Sequence, residues 1–292
     1  MGTDNYAAID IGSNAIRLLI ARPEEINGVL NIKKLSLTRV PIRLGEDVFG
    51  KGKISDDKEN AFIKTMQAFK LLMEVYNIKD YRACATSAMR EAKNKEKIVT
   101  AVKYHTGINI ELINGKIEAD LIYNTFFTRL LDKKQAYLFI DVGGGSTEIT
   151  VYRKGKRLKS KSFPLGTVRA LQDKIKDSSW EELDQWLFDL KNETGEFMAI
   201  GTGGNINRYF KLSKNDYLEP LSYRKFKSIY DSLKDLTPQE RIDKYRLRYD
   251  RADVIEPAGR IYLTIMKKCG INKILVPKVG LSDGIVYDLY QQ

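Results

Sequence analysis

Ala7-Ala8-Ile9-Asp10-Ile11-Gly12-Ser13-Asn14 and Leu138-Phe139-Ile140-Asp141-Val142-Gly143-Gly144-Gly145-Ser146-Thr147 are two copies of one phrase, with their aspartates 131 residues apart. Each is a short apolar run, a lone aspartate, a turn of small residues, and a second β-rich run, Ile16 to Ala21 in one and Glu148 to Tyr152 in the other. An apolar run closed by glycine reads as a buried strand. A carboxylate inside such a strand is costly unless something pairs with it. Set just before a glycine turn, it emerges at the strand's end, where a cation or a phosphate can reach it. Two such hairpins predict two related lobes facing each other across a cleft that handles phosphate.

Outward from the hairpins, strands and helices alternate. Phe62, Met66, Phe69, Leu72 and Met73 fall at helical spacing within Asp57 to Tyr76. A strand at Tyr81 to Ala85 runs into a turn, Thr86-Ser87-Ala88-Met89-Arg90; Lys95 to His105 reads as a helix and Ile108 to Ile113 as a strand. Asn114-Gly115 breaks that strand, and Glu118 opens a helix with Leu121, Ile122, Phe126 and Leu130 along one face. After the second hairpin come a strand at Leu158 to Pro164, helices at Val168 to Ile175 and Trp180 to Asn192, and a strand at Met198 to Ile200. A helix at Arg251 to Lys268, a strand at Lys273 to Pro277 and a helix from about Ser282 complete the chain. This alternation predicts an α/β fold of two lobes with mixed sheets, 1–125 and 126–281, the last helix (about 282–292) packing back on the first lobe.

The 292 residues and 43% hydrophobic content suffice for two cores. A net charge of +11 favours polyanionic partners or an anionic surface. Two cysteines and one histidine exclude a disulfide framework and a His-rich metal site, and make a carboxylate the expected general base. The cysteine usage fits a reducing, cytoplasmic setting. A strand starting within six residues of Met1 leaves no room for a signal peptide, Tyr6 spoils the myristoylation motif begun by Met1-Gly2, and no apolar run is long enough to span a bilayer.

Gly12, Ser13 and Asn14, and likewise Gly143, Gly144, Gly145 and Ser146, offer consecutive N–H groups that can form an anion-binding nest. Gly201, Thr202, Gly203 and Gly204 precede a helix at Ile206 to Leu212, another ready anion site. Asp10 and Asp141, facing phosphate, call for a divalent cation, and Mg²⁺ suits oxygen-only ligands; each could instead cap its own turn. Arg17 and Arg90 are placed to fork onto phosphate oxygens, with Arg43 a weaker candidate. Glu118 and Glu148 could take a proton from an attacking water or orient it; taken as residue types alone, they read sooner as a first-turn helix residue and a solvated strand residue.

In order, Asp10-Ile11-Gly12-Ser13-Asn14 with Arg17, Ala85 to Arg90, Gly115 with Glu118-Ala119, Asp141 to Glu148, Pro164-Leu165-Gly166-Thr167-Val168-Arg169 and Gly201 to Asn205 resemble the exopolyphosphatase/guanosine pentaphosphate phosphohydrolase family. Arg251 to Gly259 and Gly280 to Gly284 are similar to its later signatures. The family belongs to the actin/sugar-kinase/Hsp70 superfamily of duplicated RNase-H-like lobes. The resemblance implies Mg²⁺-dependent removal of terminal phosphate from inorganic polyphosphate, or of the 5′-γ-phosphate from guanosine pentaphosphate, in a cytoplasmic protein, often a homodimer, with neither membrane nor specific nucleic acid as partner. It implies Glu118 as the catalytic base, Glu148 as the second acid, Asp10 and Asp141 as cleft aspartates, and Arg90 on the phosphate chain. Ile117 stands where members often carry a paired glutamate, which implies a less acidic site. Longer relatives add a helical C-terminal region that extends the polyphosphate path; the end at Gln292 implies lower processivity. An ATP-dependent small-molecule kinase of the same superfamily and a non-catalytic polyphosphate or alarmone sensor are the alternatives.

Overall fold

The computed structural model describes residues 4–26, 29–125, 131, 132 and 134–292. Phe126 and Leu130, expected on the Glu118 helix, and the Met1-Gly2 start fall outside the described residues. The chain divides into two units, one of residues 1–130 with 279–292 and the other of residues 131–278.

In the first unit the elements are β1 (Asn5–Ile11), β2 (Ile16–Ile26), β3 (Val29–Val40), α1 (Leu44–Lys51), α2 (Asp56–Val75), β4 (Ile78–Ala85), α3 (Ser87–Glu91), α4 (Lys95–Thr106), β5 (Ile110–Leu112) and α5 (Gly115–Tyr123). The sheet order is β3-β2-β1-β4-β5, with β1, β4 and β5 parallel and β2 and β3 antiparallel. The residues from Ala7 to Ile11 are buried, as the unbroken apolar run requires of a central strand. The C-terminal helix of the chain (Leu281–Gln291) belongs to this unit and packs on β1 and α5. Gly284 permits that crossing, since a Cβ there would lie 2.1 Å from the Leu121 carbonyl oxygen. Leu121, Ile122, Leu281, Ile285 and Val286 share its core with Ala8, Leu19 and Cys84.

The second unit contains β6 (Ala136–Val142), β7 (Thr147–Arg153), β8 (Lys156–Phe163), α6 (Thr167–Leu171), α7 (Asp177–Thr194), β9 (Met198–Thr202), α8 (Gly204–Ser213), β10 (Leu221–Ser222), α9 (Tyr223–Asp231), α10 (Pro238–Tyr245), α11 (Tyr249–Ala252), α12 (Ile255–Cys269) and β11 (Lys273–Leu275). Counting the C-terminal helix as α13, these complete the chain. Its sheet runs β10-β11-β9-β6-β7-β8. Apart from the short outer strand β10, both sheets carry the order 3-2-1-4-5 in their own chain sense. That is the RNase-H-like arrangement, built twice: the fold is a two-lobe α/β duplication. Helix α12 crosses the second core with Ile261, Tyr262 and Ile265 fully buried.

Four features depart from the sequence reading. Val29–Val40 and Leu44–Lys51 form β3 and α1, neither of which had been read as an element, and Ser87–Glu91 is a short helix rather than a turn. The expected Arg251 to Lys268 helix is two helices, α11 and α12.

Candidate active site

In open α/β sheets, ligand sites form beyond the carboxyl ends of parallel strands. In the first unit those ends are Ile11, Ala85 and Leu112, and the candidate residues follow them directly. The turn after β1 closes with the Gly12 N–H donating to the Ala15 carbonyl at 3.1 Å. The carbonyls of Ser13 and Asn14 accept from the Gly45 and Arg43 N–H groups at 2.8 and 3.2 Å, at the start of α1. A trans peptide points its N–H opposite to its C=O, so the amides of Asn14 and Ala15 face away from α1. The Ser13 hydroxyl accepts from the Ala88 N–H at 3.2 Å and so caps α3. Arg90, on α3, donates to the Ile113 carbonyl at 2.7 Å, one residue before Asn114. Asn114 in turn accepts from the Lys116 and Ile117 amides and starts α5, which carries Glu118, half-buried, in its first turn. Arg43 contributes its backbone, in the left-handed region at φ 57°, while its guanidinium meets Glu46 at 2.6 Å.

The second unit repeats this arrangement. The Gly143 N–H donates to the Ser146 carbonyl at 2.9 Å, the same closure 131 positions on. From behind, the Thr167 N–H reaches the Gly143 carbonyl, the Val168 and Arg169 N–H groups reach that of Gly144, and the Arg169 side chain reaches that of Gly145 at 2.8 Å. With three successive carbonyls turned towards α6, the amides of Gly144, Gly145 and Ser146 point to the opposite side, which is the geometry of an anion nest. Gly166 allows this approach, because a Cβ there would stand 2.3 Å from the Gly145 carbonyl carbon. Gly203, at φ 91°, lies beside Asp141: a Cβ would fall 2.6 Å from its Oδ1. Thr202 is buried with its carbonyl accepting from the Tyr262 hydroxyl at 2.7 Å. Gly201 lies inside β9, hemmed in by Ile206 and Ile274, where its lack of a side chain serves packing.

The two copies differ in what stands opposite the aspartate. Asp10 pairs in register with Arg17 of β2, and Arg17 with Arg39 of β3. The Asp10 carboxylate, 4% exposed, is held by Arg17 at 2.5 Å. Asp141 instead pairs with Glu148, and Glu148 with Ser162 of β8. Glu148 is buried, not solvated, and its Oε1 accepts from the hydroxyls of Ser146 at 2.6 Å and Ser162 at 2.9 Å. Equivalent rows thus read Arg39-Arg17-Asp10 and Ser162-Glu148-Asp141, net positive in one and doubly negative in the other.

Two carboxylates directly opposite on paired strands repel, and a cation relieves that repulsion. No cluster of three or more His, Cys, Asp or Glu able to hold a metal occurs among the described residues. Mg²⁺ commonly takes one or two carboxylates and completes its shell with water and substrate phosphate, so the Asp141–Glu148 pair fits it. Asp10, already matched by Arg17, fits it less well. Arg39, Ser162, Arg169 and Tyr262 were not singled out from sequence as site residues. Only Arg169 stood in a motif that could have marked it; the others are found through register or tertiary contact.

Cys84, next to Asp10 across the sheet, is buried, and that burial pushes its thiol up to about 12, with Asp10 and Glu118 adding to the rise. It is no nucleophile at neutral pH. No described helix is long and apolar enough to cross a membrane.

Comparison with known proteins places the chain in a family. The chain is 29% identical over 262 residues to the bifunctional 3-dehydroquinate synthase/phosphatase of Fusobacterium nucleatum, a match covering 82% of this chain and 38% of that protein, so the chain spans well under half of that relative. The crystal structure of the Aquifex aeolicus Ppx/GppA family member superposes with a TM-score of 0.77 at 25% identity, covering 99% of this chain and 98% of that one. A Cytophaga hutchinsonii exopolyphosphatase shares the fold with a TM-score of 0.86 at 23% identity, covering 99% and 98%. The profile of the Ppx/GppA phosphatase family matches residues 20–292, and the chain belongs to the Ppx/GppA phosphatase family.

Proposed function

We propose that this phosphatase releases terminal phosphate from inorganic polyphosphate or the 5′-γ-phosphate from guanosine pentaphosphate by water attack assisted by Mg²⁺. The observation that carries this reading is the charge split between the equivalent hairpin rows: Arg39-Arg17-Asp10 suits anionic oxygens and Ser162-Glu148-Asp141 suits a cation. The exopolyphosphatase named above supports the choice of substrate by its shared fold.

Glu118 is the general base in this reading. Half-buried in the first turn of α5, it takes the proton from the attacking water. Asp141 and Glu148 would hold Mg²⁺, which would neutralise charge on the phosphoryl oxygens. The Ser146 and Ser162 hydroxyls fix the Glu148 carboxylate so that it needs no rearrangement on loading. Within the second unit, the amides of Gly144, Gly145 and Ser146 stabilise the charge growing on the transferred group. Arg90, steadied through the Ile113 carbonyl, grips the phosphate chain.

The test is phosphate release from long-chain polyphosphate and from guanosine pentaphosphate, with Mg²⁺, by the wild type and by Glu118→Gln. Loss of a general base should lower kcat by about 10²–10⁴-fold. Release that survives the substitution would remove Glu118 from the role. Turnover of ATP only in the presence of an acceptor would replace the hydrolase by a kinase.

A further inference from the structure

Helix α5, which carries Glu118, is nine residues long, too short to be stable by itself in water. Its direction therefore depends on what it packs against. At its start the Asn114 side chain accepts from the Lys116 and Ile117 amides, and the Asn114 carbonyl accepts from the Glu118 amide at 3.0 Å. These bonds fix where the helix begins. Its tilt is set by the C-terminal helix, α13: Ile117, Leu121 and Ile122 of α5 share one apolar core with Leu281, Ile285 and Val286.

The two backbones meet one turn beyond Glu118. A Cβ on Gly284 would lie 2.1 Å from the Leu121 carbonyl oxygen, 2.5 Å from its carbonyl carbon and 3.2 Å from the Ile122 nitrogen. All three atoms belong to one peptide of α5, and none can swing aside as a side chain does. In an α-helix each N–H bonds the carbonyl four residues back, so the Ile122 amide is the one that bonds the Glu118 carbonyl. The peptide against Gly284 thus closes the turn that Glu118 opens.

Helix α13 is itself tied across the sheet. Asp283, 6% exposed, accepts from the Gly280 amide at 3.0 Å and pairs with Lys34 of β3 at 2.6 Å. Further along, Asp288 accepts from Arg82 of β4 at 2.8 Å, and Arg82 also holds Glu111 of β5. Strands β3 and β4 lie on opposite sides of β1. The helix that braces α5 is therefore anchored on both sides of the strand it covers.

We infer that α13 is the positioning element for Glu118, with Ile117 and Gly284 as the positioning residues that fix the tilt of α5 and so the reach of the carboxylate. The inference rests on the proposed function, because it takes Glu118 as the general base. A base misplaced by about 1 Å loses on the order of 10²-fold in rate, so the fit between two helix backbones has a direct kinetic reading.

The experiment is a double-mutant cycle of Gly284→Ala with Glu118→Gln, read as phosphate release from tripolyphosphate with Mg²⁺. Alone, Gly284→Ala should lower kcat at least tenfold and change KM less than twofold. In the Glu118→Gln background it should lower the residual kcat less than twofold, because the group it displaces is gone. A loss by the same factor in both backgrounds marks a merely structural role and overturns the inference. Should alanine at 284 prevent folding, Ile117→Ala, a half-buried side chain whose loss spares the backbone crossing, takes its place in the cycle, and the same two outcomes decide. Hydrogen exchange separates this inference from the assignment of the base. In the variant that folds, the α5 amides should exchange at least tenfold faster and those of α4 as before; α5 amides that exchange as in the wild type overturn the positioning. Faster exchange beside a Glu118→Gln protein that releases phosphate at the wild-type rate keeps α13 as the element that holds α5 and sinks the base. Unchanged exchange beside an inactive Glu118→Gln protein does the reverse.

Discussion

Seven residues after Asp10 comes Arg17, and seven after Asp141 comes Glu148; each is the direct cross-strand partner of its aspartate. Arg17→Gln leaves a 4%-exposed carboxylate without its cation. Removing one partner of such a pair costs about 3 kcal/mol, so the urea midpoint should drop markedly. Glu148→Gln removes one of two like charges, and the midpoint should hold or rise while Mg²⁺ affinity, read by calorimetry, falls about 10–100-fold. A variant that loses stability without losing Mg²⁺ affinity would exclude Glu148 as a ligand. The aspartates themselves were legible, since a lone charge ending an apolar run has a local signature. Arg17 was legible as a cation near the turn but not as the partner of Asp10, and Ser162 not at all, because cross-strand register is not written in any single segment. Glu148 had two readings as a residue type, and its burial excludes the solvated one.

Each glycine turn is an element held from behind by the start of a helix, α1 in one unit and α6 in the other. Helix α1 escaped the sequence reading for a physical reason: Arg43 at its N-cap makes no side-chain cap and Gly45 stands in its first turn, so only Glu46 and Asp47 in that turn signal a start. What fixes it is tertiary, the Gly45 amide on the Ser13 carbonyl. β3 was missed because its lysines dilute the alternation; as an outer strand, its charge guards an exposed edge. Two glycines give a contrast at this scale. Gly155, at φ 73° with nothing within 4 Å of a Cβ, should lose only about 1 kcal/mol on change to Ala. Gly203→Ala adds a 2.6 Å clash with Asp141 and should cost more, together with Mg²⁺ affinity. Tyr262 ties β6 to β9 at the site: its hydroxyl lies 2.7 Å from the Thr202 carbonyl and accepts from the Val142 amide at 3.3 Å. Tyr262→Phe leaves those buried groups wanting, at about 1–3 kcal/mol, and kcat should fall with KM little changed.

Across the whole molecule, the duplication was legible because the same phrase occurs twice, and the return of the last helix to the first unit follows from its packing on β1 and α5. The buried thiols set an alkaline limit. Cys84 is pushed up to about 12 and Cys269 to about 11, both by burial, from an ordinary 9.0. The unfolded chain releases these protons first, so stability present below pH 9 is lost as the pH climbs through the folded values. The urea midpoint should therefore fall between pH 8 and pH 10.5, and less steeply in Cys84→Ala/Cys269→Ala; an equal slope would place the alkaline loss elsewhere. The net charge of +11 adds a salt dependence, with KM for a polyanion rising with ionic strength. The turns held from behind have a kinetic corollary. Their amides are aimed before any ligand arrives, so capture requires no slow rearrangement of the loop. In stopped-flow mixing with tripolyphosphate, the observed rate should climb linearly with concentration and show no plateau, the signature of a socket that is already made.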